Sequence, residues 1–172
     1  MIKVFKTSKI PESLNRNTKG YAGEDVQRQL TADQYGKCYL CECSVVTDYQ
    51  IDHLKSKANF PGLIIEWNNL LLACSYCNRK KSDSFDDILN PLDSSIEDEI
   101  EQKIDFQNNM ASFKAVSHDV SHDRTVELLE SIFNGKCRLR NNREKQFWNY
   151  VKSSLLNFYQ IVPEKPWLQP WG

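Results

Sequence analysis

Two Cys-x-x-Cys pairs, Cys38/Cys41 and Cys74/Cys77, constrain this chain more than any other feature. Two thiolates on one tight turn grip an ion from one side. A second pair completes a tetrahedron of soft donors, and a closed four-thiolate site suits Zn²⁺. The gap of 32 residues between the pairs exceeds that of a simple zinc ribbon and leaves room for a strand-loop-strand insertion. A fold of some fifty residues buries little core and needs such a staple, and structural zinc binds small peptides with about 10–16 kcal/mol. Two other readings stand beside this one: four unrelated buried thiols, and a redox Cys-x-x-Cys pair, which lacks its usual βαβ surroundings. Cys43 is a spare that could replace Cys41, and Cys137 reads as an ordinary thiol.

The remainder must supply a globular frame. With 40% hydrophobic and 26% charged residues, the 172-residue chain excludes wholesale disorder. No run of about 18 apolar residues suggests a membrane span. Lys3, Lys6 and Lys9 stand where a signal peptide needs apolar residues, so a cytoplasmic setting is expected. The net charge of -1 hides an uneven distribution: residues 85–112 carry one Lys/Arg against eight Asp/Glu. Any contact with nucleic acid must therefore use local basic patches or a partner's field.

The expected fold class is α+β: a zinc-stapled ββα module with an N-terminal helix and a helical C-terminal region. Residues 1–36 read as a loose arm and a helix, begun after Gly23 by Glu24-Asp25 and stopped by Gly36, with Val26, Leu30 and Tyr35 at helical spacing. Residues 37–84 hold the module. Its first strand lies around Ile51, its second in the apolar run after Pro61-Gly62, and its helix starts near Cys77 and ends near Asp83. Residues 85–112 read as an acidic connector. Across the next boundary, Ile104/Phe106 and Phe113 could share one face of a hairpin. Residues 113–172 read as helical, with one helix ended by Asn134-Gly135 and a longer one striped by Phe147, Val151, Leu155 and Phe158.

Between the cysteine pairs lie Asp52-His53, Asn69-Leu70 and, directly after Cys77, Asn78 and Lys81. In this order the residues resemble the HNH, or ββα-metal, endonuclease family. The resemblance implies hydrolysis of phosphodiester bonds, with zinc as structural metal and Mg²⁺ or Mn²⁺ as catalytic metal. His53 would take the proton from water, since an imidazole of ordinary pKa is neutral near pH 7. Asp52 and the Asn78 amide oxygen would be the oxygen ligands of a hard cation. Asn69 would brace the loop and aim His53. Lys57, Arg79 and Lys81 would neutralise flanking phosphates. Ser56 stands where many members have Pro. One difficulty is geometric: neighbours in a regular strand face opposite ways, so Asp52 and His53 can share a site only where the strand twists or ends.

Softer stretches (MIKVFK, QYGKCYLCE, WNNLLLACSYCNRKKSD and ILNPLD) are similar to the PtuB-like nuclease subunits of Septu and retron-associated anti-phage systems. That similarity implies an ABC/SMC-like, PtuA-like ATPase partner and, in retron versions, a reverse transcriptase with its RNA-linked DNA. The chain has no phosphate-binding P-loop of its own. A zinc-stapled adaptor without catalysis needs only the cysteines, so Asp52, His53 and Asn78 separate it from the enzyme. The basic stretch from Lys136 to Lys145 reads as a solvated helix face or a docking patch. His118 and His122, four apart, read as helix-capping connector or as a second metal site.

Overall fold

The acids that open the first helix and the glycine that follows it set its length. In the computed structural model, which describes residues 1–135 apart from 2, 46, 94, 106 and 109, and then 142, 145–150 and 153, α1 runs Glu24–Asp33. Its N-cap is Gly23, and Glu24 and Asp25 sit in the first turn, where the helix dipole favours negative charge. Val26 and Leu30, four apart, are fully buried. Tyr35 and Gly36 both adopt left-handed φ, which ends the helix, and Tyr35 is exposed rather than a third core position.

The module follows. β1 (Tyr49–His53) pairs antiparallel with β2 (Leu70–Cys74), with Asp52 opposite Leu71 and His53 opposite Leu70. The helix α2 (Ser75–Lys81) leaves β2 without a linker. Leu70, Leu71 and Leu72 are all essentially buried, so β2 is covered on both faces, and each such side chain contributes about 1.5–3 kcal/mol. The apolar run expected as the second strand is instead two short 3₁₀ turns, Pro61–Leu63 and Trp67–Asn69. The strand starts only after Asn69, and the helix starts and ends two residues earlier than the sequence suggests.

β2's outer edge is occupied. Gln34, itself buried, accepts from Leu72 N–H through Oε1 at 2.8 Å and donates through Nε2 to Leu72 O at 2.9 Å. Tyr39 N–H reaches the same carbonyl at 3.1 Å. Lys6 Nζ donates to Leu70 O and to Trp67 O.

Lys6 also corrects the reading of residues 1–20 as a loose arm. Its ammonium sits 3.6 Å from the centre of the Trp67 ring, and burial brings its pKa down to about 7. Val4 N–H bonds Pro91 O, Thr7 N–H bonds Asp33 Oδ2, and Val4 and Leu14 are buried.

The boundary expected at residue 112 does not divide the structure. A short helix, α3 (Ile96–Glu99), leads into β3 (Ile100–Asp105), which pairs with β4 (Met110–Ala115) across that position. Ala111, Phe113 and Ala115 alternate inward, as a half-buried strand should. They meet α4 (Val120–Asn134), where Phe113 and Phe133 have ring centroids 5.3 Å apart. Phe106 lies outside the described residues. α4 is capped by Asp119, which accepts from His122 N–H at 3.0 Å, and ends at left-handed Gly135. It also packs on α2, and Tyr76 OH bonds Ile132 O at 2.9 Å. Residues 145–150 are helical and bring buried Trp148 against Phe133. Cys137, most of the basic stretch and the remaining aromatic stripe lie outside the described residues.

Two acids of residues 85–112 are tied into the structure. Asp86 accepts from Ser56 N–H, Ser56 Oγ and Asn59 Nδ2, while Asp105 accepts from Gln107 and Asn108 in the β3–β4 turn. Among the described residues, no helix is long and apolar enough to cross a membrane.

Candidate active site and zinc centre

The two cysteine pairs converge. In the first knuckle, Glu42 N–H returns to Cys38 O at 2.9 Å and Cys38 N–H bonds Cys43 O at 3.0 Å, with Glu42 in left-handed φ. In the second, Cys74 is the N-cap of α2, and its sulfur accepts from Cys77 N–H at 3.4 Å. The Sγ atoms of Cys38, Cys41, Cys74 and Cys77 lie within 4.8 Å of one another. Cys41 and Cys74 sulfurs are 3.9 Å apart. That separation is far beyond a disulfide bond of about 2.05 Å. It is close to the roughly 3.8 Å between sulfurs on a tetrahedron with Zn–S of about 2.3 Å. Burial pushes the Cys38 and Cys77 thiols up, while hydrogen bonds from Cys38, Cys41 and Cys77 hold Cys74 far down. The donor set and spacing fit a structural zinc ion. Cys43 stays outside the cluster, so it does not replace Cys41.

The staple holds the ββα module around a cleft of about 620 Å³. Asp52, His53 and Asn78 all line it, together with Tyr21, Tyr49, Lys57 and Ser82. β1 stops at His53, its last two residues are both buried, and both line the cleft.

His53 is 4% exposed. Its Nε2 lies 2.9 Å from Ile64 O. A carbonyl only accepts, so the neutral ring carries its proton on Nε2 and leaves the Nδ1 lone pair free. Burial lowers the His53 pKa, the Ile64 carbonyl opposes that, and the charges of Lys57 and Lys81 add to it. The ring is therefore neutral at pH 7 and able to take a proton.

Asn69 organises the loop that supplies this carbonyl. Its Oδ1 accepts from Lys55 N–H at 2.7 Å, and its Nδ2 donates to Lys55 O and Leu63 O at 3.0 Å each. One amide thus ties the chain just after His53 to the residue before Ile64.

Asn78 lies within α2, half-buried, with its side chain making no hydrogen bond among the described residues. It is not the helix N-cap, since Cys74 holds that position. A free amide oxygen and a carboxylate in one cleft are the hard donors that a Mg²⁺-like cation takes. Asp52 Oδ2 accepts from Tyr39 OH at 2.7 Å, and Oδ1 lies 3.7 Å from Lys81 Nζ. Burial pushes the Asp52 carboxyl up, against the pull of Lys81 and the Tyr39 hydroxyl.

Lys81 is not a phosphate contact. It is fully buried, and its ammonium donates to His53 O at 2.8 Å beside Asp52. Positions three and four apart share a helix face, which puts Lys81 on the inward side with Cys77 and Asn78. Arg79 is exposed on α2, and Lys57 is exposed at the cleft.

Tyr21 escaped the sequence reading. Its ring packs edge-on to His53 with centroids 4.9 Å apart, and its hydroxyl accepts from Lys57 Nζ at 3.1 Å. The signal was the glycine before it: a Cβ on Gly20 would lie 1.9 Å from Ser13 O. His118 and His122 do not join in a metal site. His122 faces Glu99 and Asp119, exposed His118 faces Asp123, and the four cysteines are the one cluster of His, Cys, Asp and Glu ligands among the described residues.

Comparison with known proteins agrees with this geometry. Residues 38–84 match the HNH endonuclease family model, the span that carries both knuckles, β1, β2 and α2. Septu protein PtuB of Bacillus thuringiensis is 29% identical over 99 residues, 54% of this chain and 35% of that protein. Septu protein PtuB of Bacillus mycoides (strain KBAB4) is 33% identical over 87 residues, 42% of this chain and 30% of that protein. The matches thus span about a third of the curated relatives' length. No solved structure matches the chain at comparable significance.

Proposed function

We propose that this chain, with its HNH endonuclease domain, is a metal-dependent nuclease. It hydrolyses phosphodiester bonds in nucleic acid as the effector subunit of an anti-phage complex with an ABC/SMC-like ATPase. The observation that carries this reading is the 2.9 Å contact of His53 Nε2 with Ile64 O, which leaves Nδ1 as the ring's acceptor in a cleft shared with Asp52 and Asn78.

In this reading His53 Nδ1 takes the proton of the attacking water. Asn69 holds the 54–64 loop so that the ring keeps its aim, and the Tyr21 edge limits its rotation. Asp52 and Asn78 would hold Mg²⁺ or Mn²⁺, which offsets negative charge on the phosphoryl and leaving oxygens when bound. Lys57 and Arg79 neutralise neighbouring phosphates. The similarity to Septu protein PtuB supports the defence setting and the ATPase partner.

The test is a nicking assay in Mg²⁺ or Mn²⁺ with the ATPase present. It compares wild type with His53→Ala. Loss of about 10²–10⁴-fold is expected if His53 is the base. Equal cleavage by both proteins would remove that role.

A further inference from the structure

Tyr39 stands between the two cysteines of the first knuckle and is fully buried. Its main chain is anchored on Leu72 O, and its hydroxyl donates to Asp52 Oδ2 at 2.7 Å. One rigid side chain therefore runs from the sulfur cluster to the carboxylate that lines the cleft. A buried tyrosine needs some acceptor, and a backbone carbonyl would satisfy it. Here the acceptor is a buried carboxylate whose other oxygen already faces Lys81. Held from two sides by groups on different elements, the carboxylate is restrained from turning in its plane.

We propose that Tyr39 is a positioning residue that fixes the Asp52 carboxylate against the zinc knuckle and thereby sets its affinity for a divalent cation. This rests on the reading of Asp52 as a ligand given above. Tyr39 touches neither substrate nor ion. It acts by removing the orientational freedom that Asp52 would otherwise lose on binding. Partners of this kind are typically worth 10–100-fold in metal affinity.

The experiment uses the zinc-loaded full chain and Mn²⁺ alone as probe, with free Mn²⁺ followed by its paramagnetic resonance signal. Tyr39→Phe keeps the ring and should retain its zinc and melting profile, yet bind Mn²⁺ about tenfold more weakly or worse. Asp52→Asn should lose most binding, and adding Tyr39→Phe to it should change nothing further. If Tyr39→Phe binds Mn²⁺ like wild type while Asp52→Asn does not, the hydroxyl only fills space and the proposal fails. Zinc loss in Tyr39→Phe overturns it too, because the hydroxyl would then serve the knuckle. If Asp52→Asn binds like wild type, or wild type binds no Mn²⁺, the ligand reading itself falls and takes the proposal with it. An absorption measurement stands beside these: Mn²⁺ should perturb the near-ultraviolet tyrosine absorption of wild type more than that of Tyr39→Phe, and equal changes in the two count against the link.

Discussion

Replacing Lys81 by methionine tests whether its ammonium belongs to the interior. The side chain is 0% exposed, its Nζ lies 3.7 Å from Asp52 Oδ1, and it donates to His53 O at 2.8 Å. Methionine has similar length and keeps the packing of the stem. What disappears is the countercharge of a carboxylate that is itself only 5% exposed. Removing one partner of a buried pair costs about 3–5 kcal/mol, because the other charge is left without compensation. At about 2–4 °C per kcal/mol for a chain of this size, melting should fall by roughly 6–20 °C. A solvated lysine at a helix end would change stability by about 0.5 kcal/mol or less. The two readings thus differ by several-fold, well outside experimental scatter. The assay is thermal unfolding followed by circular dichroism, with zinc content measured in parallel. Adding Asp52→Asn removes the stranded charge and should recover part of the loss, with a coupling of about 0.5–3 kcal/mol. A Lys81→Met protein that melts within about 2 °C of wild type would refute the burial argument.

Three further outcomes follow from geometry. Cys77→Ser should lose zinc and unfold the β1–β2–α2 module, whereas Cys43→Ser, outside the sulfur cluster, should keep both; zinc release and near-ultraviolet dichroism report the difference. Gly20→Ala places a methyl 1.9 Å from Ser13 O, so the 20–23 turn must shift, carrying Tyr21 off His53 and lowering cleavage by an amount that Tyr21→Ala should reproduce. His122 has its pKa raised by Glu99 and then Asp119. Its stabilisation is complete below the ordinary histidine pKa of about 6.5 and is lost as pH rises through the higher folded value. Melting temperature should therefore decline across that upper window in wild type and stay flatter in His122→Gln.

The knuckles were legible because their chemistry is local: two cysteines on a turn need nothing else to be recognised. The same holds for α1 and α4, whose acids, glycines and apolar spacing lie within their own windows. Asp52, His53, Asn69 and Asn78 could be named from the family resemblance that their order carries, but not their contacts. Leu63, Ile64 and Ile65 read as strand because three apolar residues in a row satisfy either period, and only the turns forced by Pro61 and Asn69 decide against it. Lys81 read as a phosphate contact within a run of three cations, although helical spacing places it on the Cys77 and Asn78 face. The N-terminal arm was illegible for another reason. Lys6 finds its acceptors more than sixty positions away, and no local pattern carries that information.

Gln34 has a consequence for how this protein can associate. An open strand invites a neighbour's backbone to zip alongside it, which is how sheets recruit peptides and how they aggregate. By presenting an amide to Leu72 where another polypeptide would otherwise register, with Lys6 on Leu70 just along the row, the chain plugs those sockets from within. On the β2 side the ribbon therefore cannot be lengthened, and a neighbouring polypeptide there must grip side chains and helices rather than extend the ladder.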